Sequence, residues 1–147
     1  MEIERKYLIS SVPFDLSSYP CRKIEQGYLS TAPVVRIRRD NNDYILTYKS
    51  KGMMIREEYN LPLTKKSYEH LKEKIDGRLI TKKRYVIPLK DFLFIELDIF
   101  SGDLAPLMLA EVEFPEQETA NHFTPPEWFG EDVTFSSSYH NSTLSKL

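Results

Sequence analysis

The chain opens on charges at every second position: Glu2, Glu4 and Lys6, with Ile3 filling one of the gaps. Alternate residues of a β-strand share one face, so this spacing sets two carboxylates about 7 Å apart beside an ammonium. Carboxylates that close repel, and the fold must hold them with cations or a metal ion. The same period returns along the chain. Arg36 and Arg38 flank Ile37; Thr47 and Lys49 oppose Leu46 and Tyr48; Arg56, Glu58 and Asn60 alternate with Glu57, Tyr59 and Leu61. Lys82 and Arg84 then share a face against Tyr85 and Ile87, Glu96 and Asp98 alternate with Ile95, Leu97 and Ile99, and Glu111 and Glu113 sit between Ala110, Val112 and Phe114.

An ordinary half-buried antiparallel sheet also alternates apolar and charged residues. Here the charges are sorted by sign, basic pairs on some strands and acidic pairs on others, with few of the Ser, Thr and Gln residues a solvated face mixes in. Like charges at cross-strand spacing destabilise a sheet unless something holds them. Closing the sheet into a barrel turns these faces inward and makes a polar lumen of both signs. Such a lumen suits a polyphosphate: cations hold its oxygens, and clustered carboxylates hold the hard divalent ion that bridges them.

At 147 residues the chain reads as one domain over 1–147, large enough to close a small barrel. Twenty basic against twenty-two acidic residues leave a net charge of −2, which argues against a general nucleic-acid surface but not against an anion site. Cys21 is the only cysteine, so an intrachain disulfide or cysteine zinc cluster is excluded, which fits a reducing compartment. The charged start lacks a secretory pattern, and the longest apolar run, Leu104 to Ala110, is interrupted by Pro106 and too short to span a bilayer. A soluble cytoplasmic protein with no membrane partner is expected.

Period-two stretches predict strands at Met1–Lys6, Ile24–Ser30, Pro33 through Arg38, Tyr44–Ser50, Met54–Leu61, Arg78–Ile87, Phe92–Phe100 and Met108–Phe114. Gly27 marks a bulge or bend. Asp40 to Asp43 reads as a hairpin loop. Thr64–Ile75 is the clearest helix, with Thr64 as N-cap and Gly77 placed to end it. Glu116–Phe123 and Ser136–Leu147 are further helical candidates. His70 and His122 read as surface or packing residues, Trp128 as a core anchor and His140 as a residue closing one tunnel end; for Tyr28, packing and substrate contact weigh equally.

These motifs together resemble the CYTH superfamily, or triphosphate tunnel metalloenzymes. The resemblance runs through Glu2, Glu4 and Lys6, the QGYL at Gln26–Leu29, Arg36 and Arg38, the LTYK at Leu46–Lys49, Lys82 and Arg84, ELDIFSG at Glu96–Gly102 and AEVEF at Ala110–Phe114. It implies an α+β fold, an eight-stranded closed antiparallel barrel with a few flanking helices, whose tunnel binds a triphosphate and a divalent metal, Mg2+ or Mn2+. Small bacterial-type members that begin this way are similar to inorganic triphosphatases. The implied phosphate contacts are Lys6, Arg36, Arg38, Lys49, Arg56, Lys82 and Arg84. The implied metal ligands are Glu2, Glu4, Glu111 and Glu113, with Glu58, Glu96 and Asp98 as further ligands or as orienters of the cations; Glu2 or Glu4 is the implied catalytic base.

Two departures stand out: Asn60 where members often carry a second glutamate, and Ser136 and Ser138 where the family tail commonly has Asp and Arg. Three functions remain open at this point: hydrolysis of inorganic triphosphate, a nucleotide-directed triphosphatase or class IV-type adenylate cyclase, and a polyphosphate-binding module without turnover. A small-molecule triphosphate is the expected partner, nucleic acid is not, and the chain is a monomer or homodimer.

Overall fold

The computed structural model describes residues 1–147 and holds nine strands, in chain order β1 (Glu2–Leu8), β2 (Cys21–Thr31), β3 (Val34–Asp40), β4 (Asp43–Lys49), β5 (Ile55–Arg56), β6 (Glu58–Pro62), β7 (Asp76–Pro88), β8 (Phe94–Phe100) and β9 (Met108–Glu113). All pairings are antiparallel, and the sheet order is β5-β1-β9-β8-β7-β2-β3-β4-β6. The two end strands are halves of the single strand expected over Met54–Leu61. It breaks at Glu57, whose amide donates to Ser50 Oγ at 2.8 Å and whose carbonyl accepts from the Ser50 amide at 3.0 Å. The first half pairs with β1 (Glu2↔Arg56) and the second with β4 (Glu58↔Lys49), which closes the ring. The expected barrel is therefore present, with nine strands instead of eight because one is interrupted.

Closure puts one face of each strand inside, and much of the hydrophobic core lies outside the wall. Ile87, Ile95, Leu97, Ala110 and Val112 point outward and are buried with Ile9, Met54, Phe114 and Ala120. Trp128 packs on this outer layer, edge-on to Phe14 and Phe129, as its anchoring role requires. A second cluster of Tyr28, Val34, Ile80, Phe100 and Leu109 carries the inward alternation to the far end of the barrel, where Val133 and Leu144 join it. Burying each such side chain contributes roughly 1.5–3 kcal/mol, and this cluster plugs one mouth.

The helix at Lys65–Lys72 (α1) is shorter than the period suggests. Thr64 caps it by accepting from the Ser67 amide at 3.1 Å, and its one buried residue, Tyr68, donates to Glu25 Oε1 at 2.9 Å. Gly77 does not end this helix. It opens β7 at φ +73°, where a Cβ would lie 2.3 Å from the Ser145 carbonyl, so only glycine lets the tail approach. The bulge expected at Gly27 is present, with register shifts on both sides of Tyr28 and Ile75 packed where a Cβ would stand. Gln117–Asn121 (α2) realises the expected helical stretch in part. The tail forms only a 3-10 turn at Ser137–Tyr139 and one helical turn at Asn141–Leu144 (α3), after Asp132 to Thr134 bridge the free edge of β1. No helix is long and apolar enough to cross a membrane.

Candidate active site

Alternation along eight segments of wall aims charge into a cavity of about 240 Å3 whose only apolar lining residues are Tyr28, Val34 and Ile45. Glu2, Glu4 and Lys6 come from β1, Arg36 and Arg38 from β3, Lys49 from β4, Arg56 from β5, Glu58 from β6, Arg84 from β7, Glu96 from β8, and Glu111 and Glu113 from β9. Among the expected site residues, only Lys82 and Asp98 do not line it. They share the inward face with Arg84 and Glu96 but lie deeper in the barrel interior, as a buried group with Arg84. Asp98, 1% exposed, accepts from Arg84 Nε at 2.7 Å and Nη2 at 2.9 Å through separate oxygens, and Lys82 Nζ stands 2.7 Å from Oδ2.

The cavity charges divide into paired and unpaired. Lys49 Nζ reaches Glu2 Oε1 at 3.0 Å and Glu58 Oε2 at 3.4 Å, Lys6 Nζ lies 3.7 Å from Glu111, and Arg84 Nη1 donates to Glu96 at 3.3 Å. Neither Arg36 nor Arg38 has a carboxylate within salt-bridge distance. Arg36 Nη2 donates to Thr47 Oγ1 at 3.4 Å and its buried Nε has no partner, while Arg38 Nε donates to Gln26 Oε1 at 2.9 Å. Glu4 and Glu113 likewise lack a cation partner. In the ring β3 lies four strands from β9 in one direction and five in the other, so the unpaired arginines and the unpaired carboxylates sit on opposite sides of the lumen.

Electrostatics follow this division. Burial, then repulsion from Glu111 and Glu2, raises the Glu4 carboxyl well above the ordinary range. Burial also raises Glu2 against the pull of Lys49, and burial with Glu96 and Glu58 raises Glu113. Glu58 is the opposite case: burial acts against its charge, but Lys49, Glu2 and Asn60 bring it down to about 2. On the basic wall, burial and then Arg36 and Arg84 bring Arg38 down to about 9. His140, at the floor, falls to about 4 through burial and the nearby Lys6, Arg56 and Lys49, so it is neutral at pH 7.

Burial and mutual repulsion raise Glu2, Glu4 and Glu113, while Glu111, against its burial, is held well below the ordinary range by Lys6 and Arg84; an oxygen-only donor set of this kind suits a hard divalent ion. No three His, Cys, Asp or Glu side chains are drawn together as a preformed cluster, but the donors Glu2, Glu4, Glu111 and Glu113 all line one cavity on adjacent strands, with Glu4 opposite Glu113. The residues present fit such an ion by chemistry.

Arg22 also lines the cavity, beside Asp40 at 3.1 Å and Glu96 at 3.7 Å, and the sequence reading missed it. It stands four residues before Gln26, on the same face, but the adjacent Lys23 hides the alternation and the start of β2 falls at Cys21, not Ile24. His140, Asn141 and Ser142 form the floor, delivered by α3 rather than by the longer helix expected.

The CYTH domain model matches residues 1–147. The chain is 41% identical over 148 residues to an inorganic triphosphatase of Nitrosomonas europaea, covering 98% of this chain and 96% of the relative. With an inorganic triphosphatase of Acetivibrio thermocellus it shares 34% over 150 residues, covering 99% and 93%. Among solved structures, that of the inorganic triphosphatase NE1496 is similar at a TM-score of 0.73 and 38% identity, covering 99% of this chain and 94% of that one. The motifs, the closed barrel and these similarities agree, and the chain belongs to the CYTH domain family.

Proposed function

We propose that this chain hydrolyses inorganic triphosphate to pyrophosphate and phosphate inside the barrel, as a single-domain cytoplasmic enzyme working with Mg2+ or Mn2+, monomeric or homodimeric. Family membership carries a general dependence on a divalent metal, and the choice between the two ions belongs to the proposal. The observation that carries the reading is the facing pair of unsatisfied groups: Arg36 and Arg38 without carboxylates, opposite Glu4 and Glu113 without cations. A linear polyphosphate with its metal supplies both missing partners at once.

Arg36 and Arg38 offer guanidinium forks for phosphoryl oxygens, and Lys6, Lys49, Arg56 and Arg84 add positive charge where the leaving pyrophosphate gathers negative charge. Lys82 contributes from deeper in the barrel interior by holding Asp98, which in turn fixes the plane of Arg84. Glu2, Glu4, Glu111 and Glu113 would hold the divalent ion, which supplies positive charge to the phosphoryl oxygens and acidifies the attacking water. Glu58 and Glu96 neutralise Lys49 and Arg84, and Asp98 serves as an orienter. Glu4, whose carboxyl burial and then Glu111 and Glu2 raise, or else Glu2 beside it, would take the proton of the attacking water.

Phosphate release from inorganic triphosphate, pyrophosphate, ATP and thiamine triphosphate, compared at equal concentration with each ion, tests this. Rapid cleavage of inorganic triphosphate with pyrophosphate spared is expected. Preference for ATP would move the assignment to a nucleotide-directed enzyme, and binding without release from any substrate to a polyphosphate-binding module.

A further inference from the structure

One cavity residue, Asn60, links the basic wall to the acidic one through hydrogen bonds of fixed direction. Arg36, Thr47 and Asn60 are cross-strand neighbours on β3, β4 and β6, as are Lys49 and Glu58 one step along. Arg36 Nη2 donates to Thr47 Oγ1 at 3.4 Å, Thr47 donates to Asn60 Oδ1 at 2.6 Å, and Asn60 Nδ2 donates to Glu58 Oε1 at 3.1 Å. Glu58 Oε2 meets Lys49, which also holds Glu2. The amide is needed at both ends. Its oxygen claims the single Thr47 proton, so Thr47 can present only lone pairs to Arg36. Its NH2 is the donor that keeps Glu58 turned toward Lys49; a carboxylate at position 60 would repel Glu58 instead.

We propose that Asn60 is a positioning residue: it aims Arg36 at the anion through Thr47 and restrains Glu58 as the partner of Lys49, out of the metal-binding carboxylate group. Both effects concern the charged chain that the preceding section assigns as substrate, so the inference rests on that reading. Asn60 is exposed at the cavity rim, outside either apolar cluster, so its replacement leaves the core packing intact.

Asn60→Asp keeps the shape and the acceptor but loses the donor to Glu58; Asn60→Ala loses both. Two readouts need no turnover: calorimetric binding of inorganic triphosphate to metal-free protein, and Mn2+ binding to substrate-free protein. Losing the order in Thr47 forfeits about one hydrogen bond at Arg36, so N60A is expected to weaken metal-free triphosphate binding about fivefold and to raise KM more than it lowers kcat. N60D, which frees Glu58 and adds a negative charge, is expected to tighten Mn2+ binding at least threefold, while N60A leaves the Mn2+ stoichiometry unchanged. Unchanged triphosphate affinity in N60A together with unchanged Mn2+ affinity in N60D overturns the inference. A wild type that binds triphosphate without releasing phosphate, with these differences intact, supports the role of Asn60 and removes the hydrolase reading; a wild type that binds no triphosphate overturns both.

Discussion

Replacing Asp98 by Asn separates charges that support the wall from charges that meet the ligand. Asp98 lies 1% exposed between Lys82, whose side chain is fully buried, and Arg84, and its Oδ2 faces both Lys82 Nζ at 2.7 Å and Arg84 Nη2 at 2.9 Å. Asn can keep one acceptor for Arg84 Nε but turns an NH2 toward two donors. Burial opposes the Asp98 charge, yet Arg84 and then Lys82 bring it from 3.8 down to about 2, which is worth about 2–3 kcal/mol by linkage. Breaking a buried pair from one side costs roughly 3–5 kcal/mol. Lys82 limits the damage, because burial, with Arg84 and Arg38 nearby, already brings it to about 7 and it can shed its proton. A loss of about 3 kcal/mol is therefore expected. With roughly 2.1 cal/mol/K of unfolding entropy per residue, that lowers Tm by about 10 °C in metal-free buffer at pH 7. The sign with pH follows: a depressed carboxylate stabilises above its unfolded pKa, so the gap between wild type and variant is full at neutrality and closes as pH falls from 3.8 through about 2. Thermal unfolding followed by circular dichroism, from pH 2 to pH 7, measures both. A Tm within about 3 °C of wild type at pH 7, with a lost response to Mg2+, would refute the reasoning and make Asp98 a metal ligand.

Glu4→Gln is expected to abolish phosphate release while metal-free binding of inorganic triphosphate, read by calorimetry, stays within about threefold, because the cationic wall is untouched; unchanged turnover sinks its assignment. Arg38→Ala, which removes an arginine with no carboxylate partner, should cost about 1.5–3 kcal/mol of triphosphate binding, or roughly ten- to a hundredfold in Kd, with little loss of Tm; a larger effect on Tm than on binding contradicts it. Because the folded-state pKa of Glu4 is raised, metal-free protein holds that proton more tightly than the unfolded chain does, and stability from this site falls as pH rises above 4.5. The Tm of wild type relative to Glu4→Gln in chelator should therefore decline as pH rises from 4.5 and recover on adding Mg2+; a flat difference counts against it.

The barrel was legible because a period of two leaves no freedom: once Ile95, Leu97 and Ile99 face an outer core, Glu96 and Asp98 must face inward. What alternation cannot convey is depth. Glu96 and Asp98 have the same sequence signature and the same inward face, yet one lines the open cavity and the other is buried deeper in the barrel interior, because depth is set by the partner strand: β7 brings Arg84 directly opposite Asp98. The break at Glu57 was equally hidden, since Met54–Leu61 alternates without interruption and only the backbone bonds to Ser50 reveal that one strand serves two neighbours. Arg22 was masked by the adjacent Lys23, and the tail's role as floor by a serine-rich sequence that reads as helix.

Sign sorting carries more information than alternation, and the structure gives it a physical meaning. A barrel interior of mixed charge would satisfy itself by pairing every group, and most of this one does: Lys49 with Glu2 and Glu58, Arg84 with Asp98 and Glu96, Lys6 with Glu111. Sorted strands make complete pairing impossible wherever two like strands have no opposite neighbour. Arg36 and Arg38 on β3 sit between β2, which offers Gln26 and Tyr28, and β4, which offers Ile45 and Thr47. Glu4 on β1 meets Glu113 on β9. Those are two places where charge is left over, opposite in sign and on different sides of the ring around a cavity of about 240 Å3; Arg56, which donates to the Ser50 carbonyl at 3.1 Å and meets no carboxylate, is a third. The paired charges hold the wall together, and the unpaired ones are the groups that the proposed triphosphate and its metal would satisfy.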